Sequence, residues 1–179
     1  MLCIMQHQLY HPMPDRSSIN HNCHVLIDET SWNSSGIEWD IRIAQLSQLV
    51  LSEFEWDRPV EVTVKLTNDA EVRNLNRQFR HKDKPTNVLS FPAMTNEDIQ
   101  HLPADFPRIL GDIALAFETI TREAIEQEKS LDHHVSHLIV HGLLHLLGYD
   151  HETDLEAEEM EALEIDILSK QSISNPYKE

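Results

Sequence analysis

Apolar and polar positions alternate with a period of two in four places along the chain. The run Val60-Glu61-Val62-Thr63-Val64-Lys65-Leu66, entered through Pro59, is the clearest and predicts a strand. Shorter runs predict strands over 23–28, over 87–91 where Pro92 stops the pattern, and over 109–116. Elsewhere the apolar period is helical. Ile43, Leu46 and Val50 recur at i, i+3, i+7, and predict an amphipathic helix over about 37–53. Asn33, Ser34 and Ser35 offer the polar groups that could start it. Asn68 followed by Glu71 resembles a capping box and opens a short helix to about 78. Further helices are predicted over 118–129, over 131–147 with Ser130 as cap, and over 153–169 behind the capping box Thr153-Asp154-Leu155-Glu156.

Between these elements, 92–108 carries Pro92, Pro103 and Pro107 without periodicity, a length that marks a functional or mobile loop. Residues 1–22 show no periodicity and are expected to be a mobile N-terminal extension; 171–179 read as a C-terminal tail. No repeat or linker divides the remainder. The expected fold class is therefore α+β: one domain over 23–170, a small mixed β-sheet packed with about five helices. The helix at 131–147 is apolar on most sides and should lie buried at the centre.

Length and charge narrow the function. A chain of 179 residues suits one domain. With 31 acidic and 14 basic side chains its net charge is −17, which excludes a protein that grips nucleic acid over its whole face. No apolar run approaches a membrane span, and no signal sequence is legible at the start. Cys3 and Cys23 make no disulfide framework, so a reducing, cytoplasmic setting is expected.

The chain has 12 histidines against 4 glycines, and six of the histidines fall between 133 and 151. On the predicted central helix His134, His137, His141 and His145 form one narrow stripe in an otherwise apolar surface. His141 and His145, at i and i+4, can reach one ion from successive turns. Gly148 can end the helix in a left-handed turn, and His151 then returns to the same place. The spacing H-x3-H-x2-G-x2-H gives three nitrogen ligands, His141, His145 and His151, and leaves a fourth position open. That is the pattern of a catalytic zinc. A structural zinc, which normally takes four protein ligands, is the other reading, and no cysteine lies near. His133, His134 and His137 are expected on the helix face or behind the ligands. The pattern overlaps the zinc-protease signature HExxHxxGxxH, but Gly142 stands where those enzymes place the glutamate base. A zinc peptidase therefore lacks its proton acceptor.

A second cluster is basic. Arg73, Arg77, Arg80, Lys82 and Lys84 lie within twelve positions, with Asp83 as the only acid. Guanidinium groups suit bidentate phosphate contacts, so beside a metal site the cluster favours a phosphodiester substrate over a merely solvated face.

Three ordered motifs resemble the YbeY family of zinc-dependent endoribonucleases. They are the stretch from His141 through Gly148 to His151, the stretch Arg80-His81-Lys82-Asp83-Lys84-Pro85-Thr86-Asn87-Val88-Leu89-Ser90-Phe91-Pro92, and Leu110-Gly111-Asp112-Ile113. The acidic run from Glu156 to Glu164 is also similar, and the resemblance spans roughly 23–170. It implies a single-strand-specific RNA hydrolase holding one Zn2+ through His141, His145 and His151, with Arg80 as its active-site arginine. It further implies ribosomal RNA maturation (the 3′ end of 16S RNA) and ribosome quality control. The implied partners are single-stranded ribosomal RNA and the ribosome or its proteins, with neither DNA nor membrane. The alternative from another class is a non-catalytic RNA- or ribosome-binding assembly factor whose metal is structural.

Overall fold

A computed structural model describes residues 19–94, 101–103 and 106–178. The extension expected over 1–22 lies outside the described residues as far as residue 18, as do Cys3 and the interior of the expected 92–108 loop at 95–100 and 104–105.

Four strands form one mixed sheet: β1 (Asn22–Ile27), β2 (Val60–Thr67), β3 (Val88–Pro92) and β4 (Arg108–Ala116), in the order β1-β2-β4-β3. β1, β2 and β4 run parallel, and β3 pairs antiparallel with β4 and closes one edge. The alternation read from the sequence becomes two faces. On β2, Val60, Val62 and Val64 are buried, while Glu61, Thr63 and Lys65 are partly exposed.

Among the described residues five α-helices accompany the sheet: α1 (Trp39–Ser52), α2 (Asp69–Arg80), α3 (Phe117–Glu126), α4 (Leu131–Leu146) and α5 (Asp154–Ser169). Three of their starts follow the predicted caps. Asn68, Ser130 and Thr153 each accept a hydrogen bond from a backbone N–H three residues on, and Thr153 with Glu156 completes a capping box. At Asn68 the box is half made, because the Glu71 carboxylate turns to Lys65 Nζ instead (3.2 Å). The expected start of α1 is corrected. Asn33, Ser34 and Ser35 belong to a short 3-10 helix (Thr30–Ser35), and α1 begins at Trp39, where the preceding Glu38 supplies no side-chain cap. Packing replaces the cap. Trp32 and Trp39 are both buried and meet edge to face, and the Trp39 indole N–H donates to the Trp32 carbonyl (3.1 Å).

α4 is the axis of the molecule. It touches α1, α3, α5, β3 and β4, and Val135, Ile139, Val140, Leu143 and Leu144 are fully buried in the main core. Burying each such side chain is worth about 1.5–3 kcal/mol, so tertiary packing sets this helix more firmly than its histidine-rich composition would. Across the sheet, α2 covers a smaller core of Val72, Leu89, Ala114 and Ala116. Gly142 lets α4 approach the sheet closely. A Cβ there would sit 3.1 Å from both Ile113 Cδ1 and Ser90 Oγ, and the Ser90 hydroxyl donates to the Gly142 carbonyl (3.2 Å). No helix of the described residues is long and apolar enough to cross a membrane.

Candidate metal centre and adjoining cleft

α4 presents His141 and His145 one turn apart, both half-buried, at the end of the helix nearest the surface. Gly148 follows with φ 94°, and lets the chain reverse. Asp150 then fixes the returning loop: its Oδ1 accepts the His151 N–H (2.8 Å). His151 arrives with its ring centroid 5.0 Å from that of His145 and 5.6 Å from that of His141. One ligand nitrogen from each ring lies within 4.8 Å of the others. The three histidines chosen by spacing are thus brought together.

Hydrogen bonding sets the tautomers of two of them. His141 Nδ1 lies 2.8 Å from Glu164 Oε1, and His145 Nδ1 lies 3.0 Å from the Tyr149 carbonyl. A carboxylate and a carbonyl only accept, so each Nδ1 carries the proton and donates. In the neutral rings both Nε2 atoms then keep a lone pair, yet they face each other at 3.1 Å. Two acceptors at that distance repel unless a cation lies between them. Ligands of a tetrahedral ion with bonds of about 2.0–2.1 Å are about 3.3 Å apart, so a small adjustment admits a metal. Protonation is the other remedy and is disfavoured at His145, where burial and then the charge of His141 lower the pKa. The donor set therefore fits a bound metal ion.

Glu164 is the residue of the candidate site that spacing missed. It is fully buried on α5, where Oε1 receives His141 and Oε2 receives His137 Nε2 (2.8 Å) and the Tyr177 hydroxyl. Burial alone would raise its pKa, but the hydrogen bonds from His137, His141 and Tyr177 hold it at about 2. The signal was available: Glu164 interrupts the apolar stripe Met160, Ile167 and Leu168 that α5 turns toward the core. A parallel network lies farther back. Glu123 Oε2 on α3 accepts from His134 Nε2 and from Asn87 Nδ2, both at 2.9 Å. Of the three further histidines, His134 and His137 thus have carboxylate partners behind the ligand trio, while His133 lies on the exposed face.

The three ring nitrogens open into a cleft of about 570 Å³ whose opposite wall includes Thr86, Asn87, Val88, Ser90 and Arg80. Arg80 is the last residue of α2 and stands exposed at the rim. It gets there because α2 ends in a left-handed turn at His81 (φ 57°), tied by Asn76, whose carbonyl accepts the Lys82 N–H and whose side chain donates to the Lys84 carbonyl (2.7 Å). The basic cluster is less uniform than its count suggested. Arg73 makes a bidentate pair with Asp83 (2.8 and 2.9 Å), leaving Arg77, Arg80, Lys82 and Lys84 to carry the surplus charge. Gly142 has no space for the glutamate base of a zinc protease without displacing Ile113 or Ser90.

Comparison with known proteins gives a consistent picture. The family model described as Endoribonuclease YbeY matches residues 27–172. An Endoribonuclease YbeY of Bradyrhizobium diazoefficiens is 60% identical over 117 residues, 65% of this chain and 63% of that protein. The one of Nitrobacter winogradskyi is 59% identical over 117 residues, 65% of this chain and 61% of that protein. The one of Chelativorans sp. is 55% identical over 123 residues, 68% and 73% respectively. The matched stretch thus spans less than two thirds of the first two relatives. The solution structure of TM1509 from Thermotoga maritima aligns with a TM-score of 0.52 at 25% identity, covering 88% of this chain and all of that one.

Proposed function

This chain belongs to the endoribonuclease YbeY family, and from that premise we propose that it is a zinc-dependent endoribonuclease that cuts single-stranded ribosomal RNA. The observation that carries this reading is the pair of lone pairs, His141 Nε2 and His145 Nε2, converging at 3.1 Å beside His151, in a cleft shared with Arg80. Those three histidines hold the ion. Zinc supplies Lewis acidity toward a phosphoryl oxygen or a water. Glu164 and the Tyr149 carbonyl keep the ligand tautomers fixed, which is what neutral imidazole ligands require.

The protein's own groups do the rest. Arg80 places a permanent guanidinium at the cleft rim, where it binds the phosphate and neutralises the charge that grows on it in the transition state. The edge strand β3 and the segment before it form the wall opposite the histidines, along which a single strand can lie. Asp150 has Oδ1 committed to the His151 N–H and Oδ2 left to accept a proton at the cleft lip. The acidic remainder of the surface gives RNA little hold, so the ribosome or its proteins supply the further grip, in the cytoplasmic setting expected from the cysteine usage. Maturation of the 3′ end of 16S RNA and ribosome quality control are the roles that follow from the family.

Arg80→Ala tests the reading. It should retain zinc and its melting temperature and lose about 10²–10³ in the rate of single-stranded RNA cleavage. Cleavage at the wild-type rate would make Arg80 a spectator.

A further inference from the structure

The end of the chain folds back onto the histidine site. Ile173 is buried, and its N–H donates to the Leu168 carbonyl (3.1 Å). The Pro176 carbonyl accepts Lys129 Nζ (2.8 Å), and the Tyr177 N–H donates to Asn175 Oδ1 (2.8 Å). These contacts deliver the Tyr177 ring edge-on to His137, with centroids 5.4 Å apart. There the Tyr177 hydroxyl donates to Glu164 Oε2. Residues 173–178 lie beyond the stretch 27–172 that the family model matches, so this contact comes from a part of the chain which that match does not describe.

The geometry has a consequence for His141. Glu164 is a fully buried carboxylate with three side-chain donors, and a buried anion held in place by several donors has little freedom to rotate. Its Oε1 is what orients the His141 ring. We infer that Tyr177 is a positioning residue of the metal centre: through Glu164 its hydroxyl holds His141 with Nε2 turned toward His145. This rests on the reading that His141, His145 and His151 hold zinc. Tyr177 does not touch the ion or the substrate. Removing its hydroxyl leaves Oε2 with His137 alone, and the carboxylate can then swing between its two histidines.

The test is a double-mutant cycle in zinc affinity. Full-length wild type, Tyr177→Phe, Glu164→Gln and the double variant are stripped of metal, and their zinc dissociation constants are measured by chelator competition. The measurement is made well below the melting temperature of each metal-free protein. Loss of a partner behind a histidine ligand typically weakens metal binding about 10–100-fold, which is the expectation for Glu164→Gln. Tyr177→Phe, one hydrogen bond further out, should weaken it about five- to tenfold. It should have almost no further effect in the Glu164→Gln background, because the hydroxyl acts through that carboxylate. Wild-type affinity in Tyr177→Phe, or the same fold-loss with and without Glu164, would overturn the inference while leaving the zinc site intact. A wild type that fails to take up zinc would overturn the site itself and the inference with it.

Discussion

A side chain at Gly111 would overlap the Phe91 carbonyl oxygen on the neighbouring strand, and the backbone there has φ 138°, a region L-residues avoid. Both constraints act at one position in β4, opposite the strand that lines the cleft. Gly111→Ala should therefore cost about 3 kcal/mol or more in urea unfolding, well above the about 1 kcal/mol of an ordinary substitution. A loss under 1 kcal/mol would mean that β3 can move away freely. Gly142 is constrained differently: its backbone is ordinary helix, and only the 3.1 Å approach to Ile113 and Ser90 limits it. At this scale Glu164 carries the largest lesson. Its chemistry depends on partners 27, 23 and 13 residues away in sequence, and nothing local announces them. Only its place on the apolar stripe of α5 marks it as a buried acid that must be paired.

Helices α3 and α4 are joined by a histidine whose protonation matters to folding. His134 is buried, its Nε2–H donates to Glu123, and its Nδ1 has no hydrogen-bond partner among the described residues. Burial lowers its pKa despite the pull of Glu123, with His137 and Lys129 adding small unfavourable charges. Between that lowered value and the unfolded value of about 6.5, the unfolded chain binds a proton that the folded chain does not. The stabilisation is therefore complete above about pH 6.5 and is lost as pH falls through the lower folded value. Urea midpoints of the metal-free protein at about pH 7.5 and pH 5.5 should fall more steeply for wild type than for His134→Gln. Equal slopes would contradict the assignment. The same element scale explains what the sequence made legible. Strand and helix positions follow periodicity, so the four strands and five α-helices of the described residues lie within a few residues of their expected bounds. The cap expected for α1 at Asn33, Ser34 and Ser35 is not used, because Trp32 and Trp39 pack there instead. The convergence of His141, His145 and His151 was readable because two of them share a helix face and the third follows a glycine turn. The carboxylates of α3 and α5 that orient the histidines were not, because tertiary packing alone brings them there.

The whole molecule is acidic, with net charge −17, and residues 131–179 hold 11 acids and 2 bases. Against that field stand Arg77, Arg80, Lys82 and Lys84, all exposed and with Arg80 lining the cleft, while Arg73 is neutralised by Asp83. Contact with RNA should be confined to this one wall. Binding of a short single-stranded RNA should be weak, with log K falling against log salt at a slope of about −2 to −3, as three to four phosphate contacts give. Tight binding that survives high salt would place the RNA surface elsewhere. The central claim, that His141, His145 and His151 together hold the one ion on which RNA cleavage depends, is tested by returning zinc to the metal-stripped protein while following cleavage of single-stranded RNA. The rate should climb linearly to a plateau at one equivalent per chain, and His145→Ala should show neither zinc uptake nor cleavage. Cleavage that ignores the stripping, or a His145→Ala protein that binds and cuts like wild type, would contradict it.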